Sequence, residues 1–176
     1  MNKWYLLALV VIVAMALPAM AQEPKFEPAA KMNVQNLPGL PKCAMGAPAN
    51  GDPSQGAAVI YVKATSGCNV PMHWHSATEQ IVIVTGSASM NHQGAKAPES
   101  ISKGEFVLMP AKHQHDFTCK TACDFYVVTD GAFDIHYVDA SGNEIPPDQA
   151  LSKQKPAAGT SKKGGAKKPG EGGEKK

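Results

Sequence analysis

His73 and His75 stand one residue apart, and Glu79 follows four residues after the second histidine. In an extended strand successive side chains alternate between faces, so His73 and His75 project from the same one. A short bend then brings Glu79 to the same point, giving two imidazoles and a carboxylate for one cation. A fourth candidate, His115, ends the stretch Pro110-Ala111-Lys112-His113-Gln114-His115. Neutral imidazoles suit Zn, Fe, Mn, Ni or Cu, and a single carboxylate shifts the preference towards harder ions without excluding zinc. Three histidines and a glutamate fill four positions of an octahedron and leave two adjacent ones for water, oxygen or a chelating substrate. A divalent ion in that setting polarises a bound oxygen atom, or lowers the pKa of bound water from about 15.7 towards 7.

The other chemistry-bearing residues are weaker signals. His113 lies two residues before His115, so extended backbone would turn both rings the same way. That makes it a candidate catalytic proton carrier, a substrate contact or an alternative ligand; a loop-mouth position facing solvent is the competing expectation. His92 and His136 have no partner at ligand spacing and read as surface or strand-packing histidines. Trp74, between two ligand candidates, must face the opposite side, whereas Phe117 shares the face of His115 and is expected to wall the pocket. Ser66 and Ser76 lie near histidines already assigned to the metal, so no nucleophile constellation stands. No glycine-rich phosphate loop precedes a helix.

Positioning these residues requires strands. From Val59 onward short β-rich runs alternate with turn residues: 59–63, 70–75, 80–84, 87–91, 100–101, 106–109, 114–118, 125–129 and 133–138. Glycines fall near the joints, where positive φ or tight turns suit them. Many short strands at this spacing predict an all-β antiparallel sandwich or barrel. The run Ile81-Val82-Ile83-Val84 is apolar throughout, as expected for a strand covered on both sides. Residues 22–58 are rich in Pro, Gly and Ala and read as an N-terminal extension or arm, ahead of a barrel over 59–150. No helix of any length is evident.

The two ends differ from this body. Trp4 to Leu17 form an apolar run behind Lys3, followed by Pro18 and Ala19-Met20-Ala21. The run is shorter than the roughly 20 residues that span a bilayer and ends in an Ala-x-Ala pattern, so a secretory signal peptide over 1–21 is expected, with no stable membrane insertion after cleavage. No cysteine follows the cleavage site, and a bacterial exported location, periplasmic or secreted, fits. The segment 151–176 is nearly devoid of apolar residues and reads as a disordered basic tail. From Ser152 it carries eight lysines against two glutamates, whereas residues 22–151 carry eight lysines against thirteen acidic residues. The near-neutral total of +2 therefore conceals an acidic body with a basic end. No aromatics interleave the lysines, and a nucleic-acid partner is not expected.

An even cysteine count in an exported chain favours disulfides. Cys119 and Cys123 bracket Lys120-Thr121-Ala122 between two strand-like runs and are placed to face each other across a hairpin mouth. Cys43 with Cys68 would then pin the N-terminal segment beside the histidine strand. Four cysteines allow three connectivities, and the sequence does not choose among them. A zinc site built from all four lacks the usual C-x2-C pairs.

The two histidine stretches together resemble the cupin superfamily. Gly67, His73, His75, Glu79 and Gly86 fit its first pattern, G-x5-H-x-H-x3-E-x6-G, at every defined position. Gly104, Pro110 and His115 match the second, G-x5-P-x-G-x2-H-x3-N, although Lys112 stands where glycine is usual and Cys119 replaces the asparagine. Gly51-Asp52-Pro53 and the late Gly131-x-Phe133-x-Ile135-x-Tyr137-Val138 extend the likeness to exported bacterial cupins related to the zinc-binding cupin module of some anti-sigma factors. The resemblance implies a jelly-roll barrel with one divalent metal ion inside (Mn, Fe, Zn or Ni) and a small-molecule ligand or substrate. A homodimer, paired through sheet faces or by exchange of the N-terminal arm, is compatible with it. It implies no particular reaction, since cupins include oxidoreductases, decarboxylases, isomerases and non-catalytic binders.

Overall fold

The computed structural model describes residues 23–152. The signal peptide expected over 1–21 and all but the first two residues of the expected tail lie outside them. After a 3₁₀ turn at Ala29–Lys31 come β1 (Gln35–Asn36), β2 (Ala44–Asn50), β3 (Ala58–Ala64), β4 (Asn69–Trp74), β5 (Glu79–Thr85) and β6 (Ser87–Met90). They are followed by β7 (Glu99–Ser102), β8 (Phe106–Met109), β9 (His115–Cys119), β10 (Cys123–Thr129), β11 (His136–Tyr137) and a six-residue helix α1 (Pro147–Ser152). Among the described residues no helix is long and apolar enough to cross a membrane.

Two antiparallel sheets face each other, in the orders β1-β2-β3-β10-β5-β8 and β11-β4-β9-β6-β7. From β3 to β10 the chain crosses repeatedly between them, which is the double Greek key of a jelly roll. Ile60, Val62, Ile81, Ile83, Phe125 and Val127 from the first sheet share one core with Phe117, Cys119, Ala88, Met90 and Ile101 from the second. The Phe117 and Phe125 rings meet at 4.9 Å.

Several expectations change. The segment read as an arm carries β1 and β2, and β2 pairs with β3 from Ala44↔Ala64 to Asn50↔Val59, so the first sheet starts well before Val59. Leu151 and Ser152, expected to open the tail, close α1. The run 133–138 keeps only β11 as strand, because Phe133 and Asp134 leave the sheet edge to bond elsewhere. In β5 only one face is covered: Ile81 and Ile83 are buried, while Val82 is 36% exposed beside Phe106 at 58% and Leu108 at 51% on β8. A two-layer sandwich offers each strand a single inner face, and the outward valines are then surface residues.

Two turns hold the frame. Gly86 joins β5 to β6 at φ 76°, where a Cβ would stand 2.2 Å from the Ala122 carbonyl oxygen, so the close approach admits no side chain. Lys112, where the family pattern has glycine, is the one described non-glycine residue at positive φ (63°). Both disulfides form as paired above, Cys43 with Cys68 (Cα–Cα 5.5 Å) and Cys119 with Cys123 (6.0 Å). Cys119, in place of the pattern's asparagine, thus closes the β9–β10 hairpin.

Candidate metal centre

The alternation argued from sequence places His73 inward on β4, Trp74 outward and His75 inward just past the strand end. Trp74 stacks on His136 at 3.9 Å with 4° between the rings. His73 lies directly across from His115 on β9. Glu79 opens β5 after a bend held by two aspartates: Asp134 Oδ1 accepts the Ser76 N–H at 2.7 Å, and Asp130 Oδ1 accepts the Thr78 N–H at 2.8 Å. All four side chains are buried.

The outer nitrogens of the three histidines each meet a backbone carbonyl. His73 Nδ1 donates to the Pro71 oxygen at 2.6 Å, His115 Nδ1 to that of His113 at 3.0 Å, and His75 Nδ1 to that of Asp134. A carbonyl only accepts, so each ring carries its proton on Nδ1 and, when neutral, presents a bare Nε2 inward. His73 Nε2 and His75 Nε2 approach to 3.1 Å. Glu79 Oε2 stands 3.2 Å from His115 Nε2 and 3.6 Å from His75 Nε2, buried and without a hydrogen-bond donor. Lone pairs and a carboxylate facing one another require a cation or an added proton between them. The ligand atoms of His73, His75 and His115 all lie within 4.8 Å of one another, a cluster able to hold a metal ion.

Electrostatics agree. Burial pushes the Glu79 carboxyl up, but His75, His115 and His73 outweigh it and hold it at about 2. Burial, then His115 and His75, drive His73 well below its ordinary value, so its imidazole stays neutral. Burial also presses on His115, but Glu79 prevails and raises it, making it the ring that takes a proton when no cation is bound.

The cluster opens onto a cavity of about 40 Å³ between the sheets, walled by Leu37, Leu40, Val70, Phe117 and Phe133. Phe117 therefore takes the expected place. Of the two places open to His113, the one away from the pocket is taken: His113 N–H bonds back to the Pro110 oxygen at 3.0 Å, closing a turn, and the side chain lies outside the cavity with its Nε2 3.3 Å from His92 Nδ1. Extended backbone would turn His113 to the face of His115, but β9 begins only at His115. His113 serves through its carbonyl instead. Asp134 and Pro71 were missed for a different reason: their carbonyls orient ligands, and backbone groups leave no mark in side-chain spacing. The only available signal was the position of Asp134 inside the stretch from Gly131 to Val138.

A jelly roll with an inward histidine cluster able to hold a metal ion defines a β-barrel of the cupin kind. Residues 48–134 match the family model described as the ChrR cupin-like domain, and the chain belongs to the cupin superfamily. The polyketide cyclase RemF from Streptomyces resistomycificus is similar in fold, at 17% identity and TM-score 0.58 over 73% of this chain and 99% of that one. An RmlC-like cupin from Shewanella frigidimarina NCIMB 400 is similar at 15% identity and TM-score 0.52, over 64% and 96% of the respective chains. No curated protein sequence matches.

Proposed function

We propose that this chain is an exported cupin that holds one divalent ion through His73, His75, Glu79 and His115 and takes a small oxygen-bearing molecule at the remaining positions. The observation that carries the reading is the convergence on one buried carboxylate of three imidazole Nε2 atoms whose Nδ1 atoms are engaged by backbone carbonyls. Three nitrogens and one oxygen suit Zn, Fe, Mn or Ni. Such an ion, when bound, supplies Lewis-acid activation of an oxygen atom. The protein's part is to fix the three rings through the carbonyls of Pro71, Asp134 and His113. Phe117, Phe133, Leu37 and Leu40 keep bulk water from the cavity. Its volume of about 40 Å³ restricts the ligand, in this closed form, to a few heavy atoms.

One observation favours a second reading, a non-catalytic metal-dependent binding or sensing module. Among the residues that line the cavity, the titratable side chains are the four candidate ligands themselves, so no separate acid or base faces a substrate. Two disulfides support export. The uncharged outer face at Val82, Phe106 and Leu108 supports a homodimer, since an isologous contact brings a patch against its own copy without like-charge repulsion.

Metal analysis of the full chain, purified without a chelating tag, should find one ion in this centre, and His75→Ala should abolish it. Full occupancy in that variant would overturn the ligand assignment. Oxygen uptake by the iron- or manganese-loaded protein separates an oxygenase from a binding module; tightly held zinc without exchangeable water counts against the oxygenase.

A further inference from the structure

We propose a second cation site, on the surface, in which His92 and His113 chelate one borderline divalent ion such as zinc, nickel or copper. It involves none of the four buried ligands and does not depend on the reading above.

His92 Nδ1 and His113 Nε2 lie 3.3 Å apart, with ring centroids at 5.4 Å and the planes inclined by 43°. Two imidazole nitrogens bound to one tetrahedral ion at about 2.0–2.1 Å are themselves about 3.3 Å apart, so chelation needs little rearrangement. Glu99 supplies an independent sign: its Oε1 stands 3.5 Å from His92 Nε2, the nitrogen turned away from His113. A ligating histidine commonly gives its other ring N–H to a carboxylate, which fixes the tautomer and strengthens the donor. With His92 protonated on Nε2 towards Glu99, its Nδ1 lone pair faces His113, and the metal ion takes the place of the single proton shared there. The Gln93 carbonyl, 3.3 Å from the same Nδ1, offers only a long competing contact.

Both rings stand on braced backbone. His92 forms a bridge with His115, Gln93 N–H bonds to the Gln114 oxygen at 2.8 Å, and Asp116 N–H bonds to the Asn91 oxygen at 2.9 Å. Asn91 clamps the Asp116 carboxylate through its own N–H (2.8 Å) and its side-chain amide (2.7 Å). On the other side Lys112 N–H bonds to the His75 oxygen at 2.8 Å and fixes the turn that carries His113. His92 keeps 24% of its side chain exposed, which leaves an entry path and room for water to complete the coordination. Soft or borderline ions suit a pair of imidazoles, and calcium or magnesium do not.

The test is equilibrium dialysis of the chelator-stripped full chain against saturating Zn²⁺, read by elemental analysis. The wild type should hold two ions, and His92→Ala, His113→Ala and His75→Ala one each. Glu99→Gln should keep the surface ion but bind it about tenfold more weakly. His136→Ala, which removes the remaining histidine outside both sites, should still hold two. The proposal is overturned if His92→Ala and His113→Ala both retain the wild-type count, or if the second ion disappears in His136→Ala instead. If the wild type holds one ion that His75→Ala loses and His92→Ala keeps, the surface site falls and the buried centre stands. The reverse pattern would leave the surface site standing and reject the buried one.

Discussion

At the residue scale the centre is governed by where protons sit. Glu79 is held at about 2 and is already a carboxylate across the physiological range, and His73 is neutral. His115 is the residue whose proton must leave when a cation enters, because its pKa is raised by Glu79 against the effect of burial. The sign follows directly. Below that raised value each bound ion expels a proton, so affinity should climb by about one log unit per pH unit, and above it the slope should flatten. Zinc or manganese titrations across the histidine range check this, and a slope of zero throughout would contradict it. The four candidate ligands were legible in sequence because strand parity and a fixed bend act on side chains. His113 was left open between pocket and loop mouth because its turn breaks that parity, and the carbonyl partners were invisible because every residue carries a carbonyl.

At the element scale the Pro110–His113 turn does two jobs, presenting one carbonyl to His115 and one ring to His92. Its left-handed residue is Lys112 (φ 63°), a conformation that costs an L side chain about 1–2 kcal/mol and glycine little. Glycine loses part of that advantage through the entropy of the unfolded chain. Lys112→Gly should therefore raise stability by about 0.5–1 kcal/mol in thermal or denaturant unfolding, with metal occupancy unchanged. A loss of stability would show that the lysine makes an interaction that outweighs its backbone. Strands β3 to β10 were readable from their alternation and glycine joints. Strands β1 and β2 were not: Ala44-Met45-Gly46-Ala47-Pro48-Ala49-Asn50 has little β propensity, and it forms a strand because β3 offers an edge and the Cys43–Cys68 bond delivers it there.

At the scale of the whole molecule, the outer face of the first sheet sets Val82 opposite Phe106 on the neighbouring strand, with Leu108 beside them, all substantially exposed. A second copy of the chain is the occupant proposed above, so Phe106→Asp should convert the species seen by sedimentation from dimer to monomer while the metal content persists. Monomeric wild-type protein at all concentrations would remove that expectation. The size of the cavity was beyond sequence reasoning, because Leu37 and Leu40, which help to line it, come from a segment that shows no pattern of its own.

These two leucines raise a question of time beside that of affinity. Their segment is tethered by the Tyr137 hydroxyl donating to the Gly39 oxygen between them at 2.8 Å and by the Cys43–Cys68 bond just beyond. If this segment acts as a flap over the centre, an occupant should leave as it opens, with a residence set by an opening rate as well as by the strength of its bonds. Extraction by a chelator should then reach a ceiling as chelator concentration rises. In the Cys43→Ser/Cys68→Ser double variant that ceiling should lift by about tenfold, because a flap without its tether opens more often. On the reading proposed above, a protein so built should keep its ion through passing exposure to competing ligands and surrender it where the disulfide is reduced.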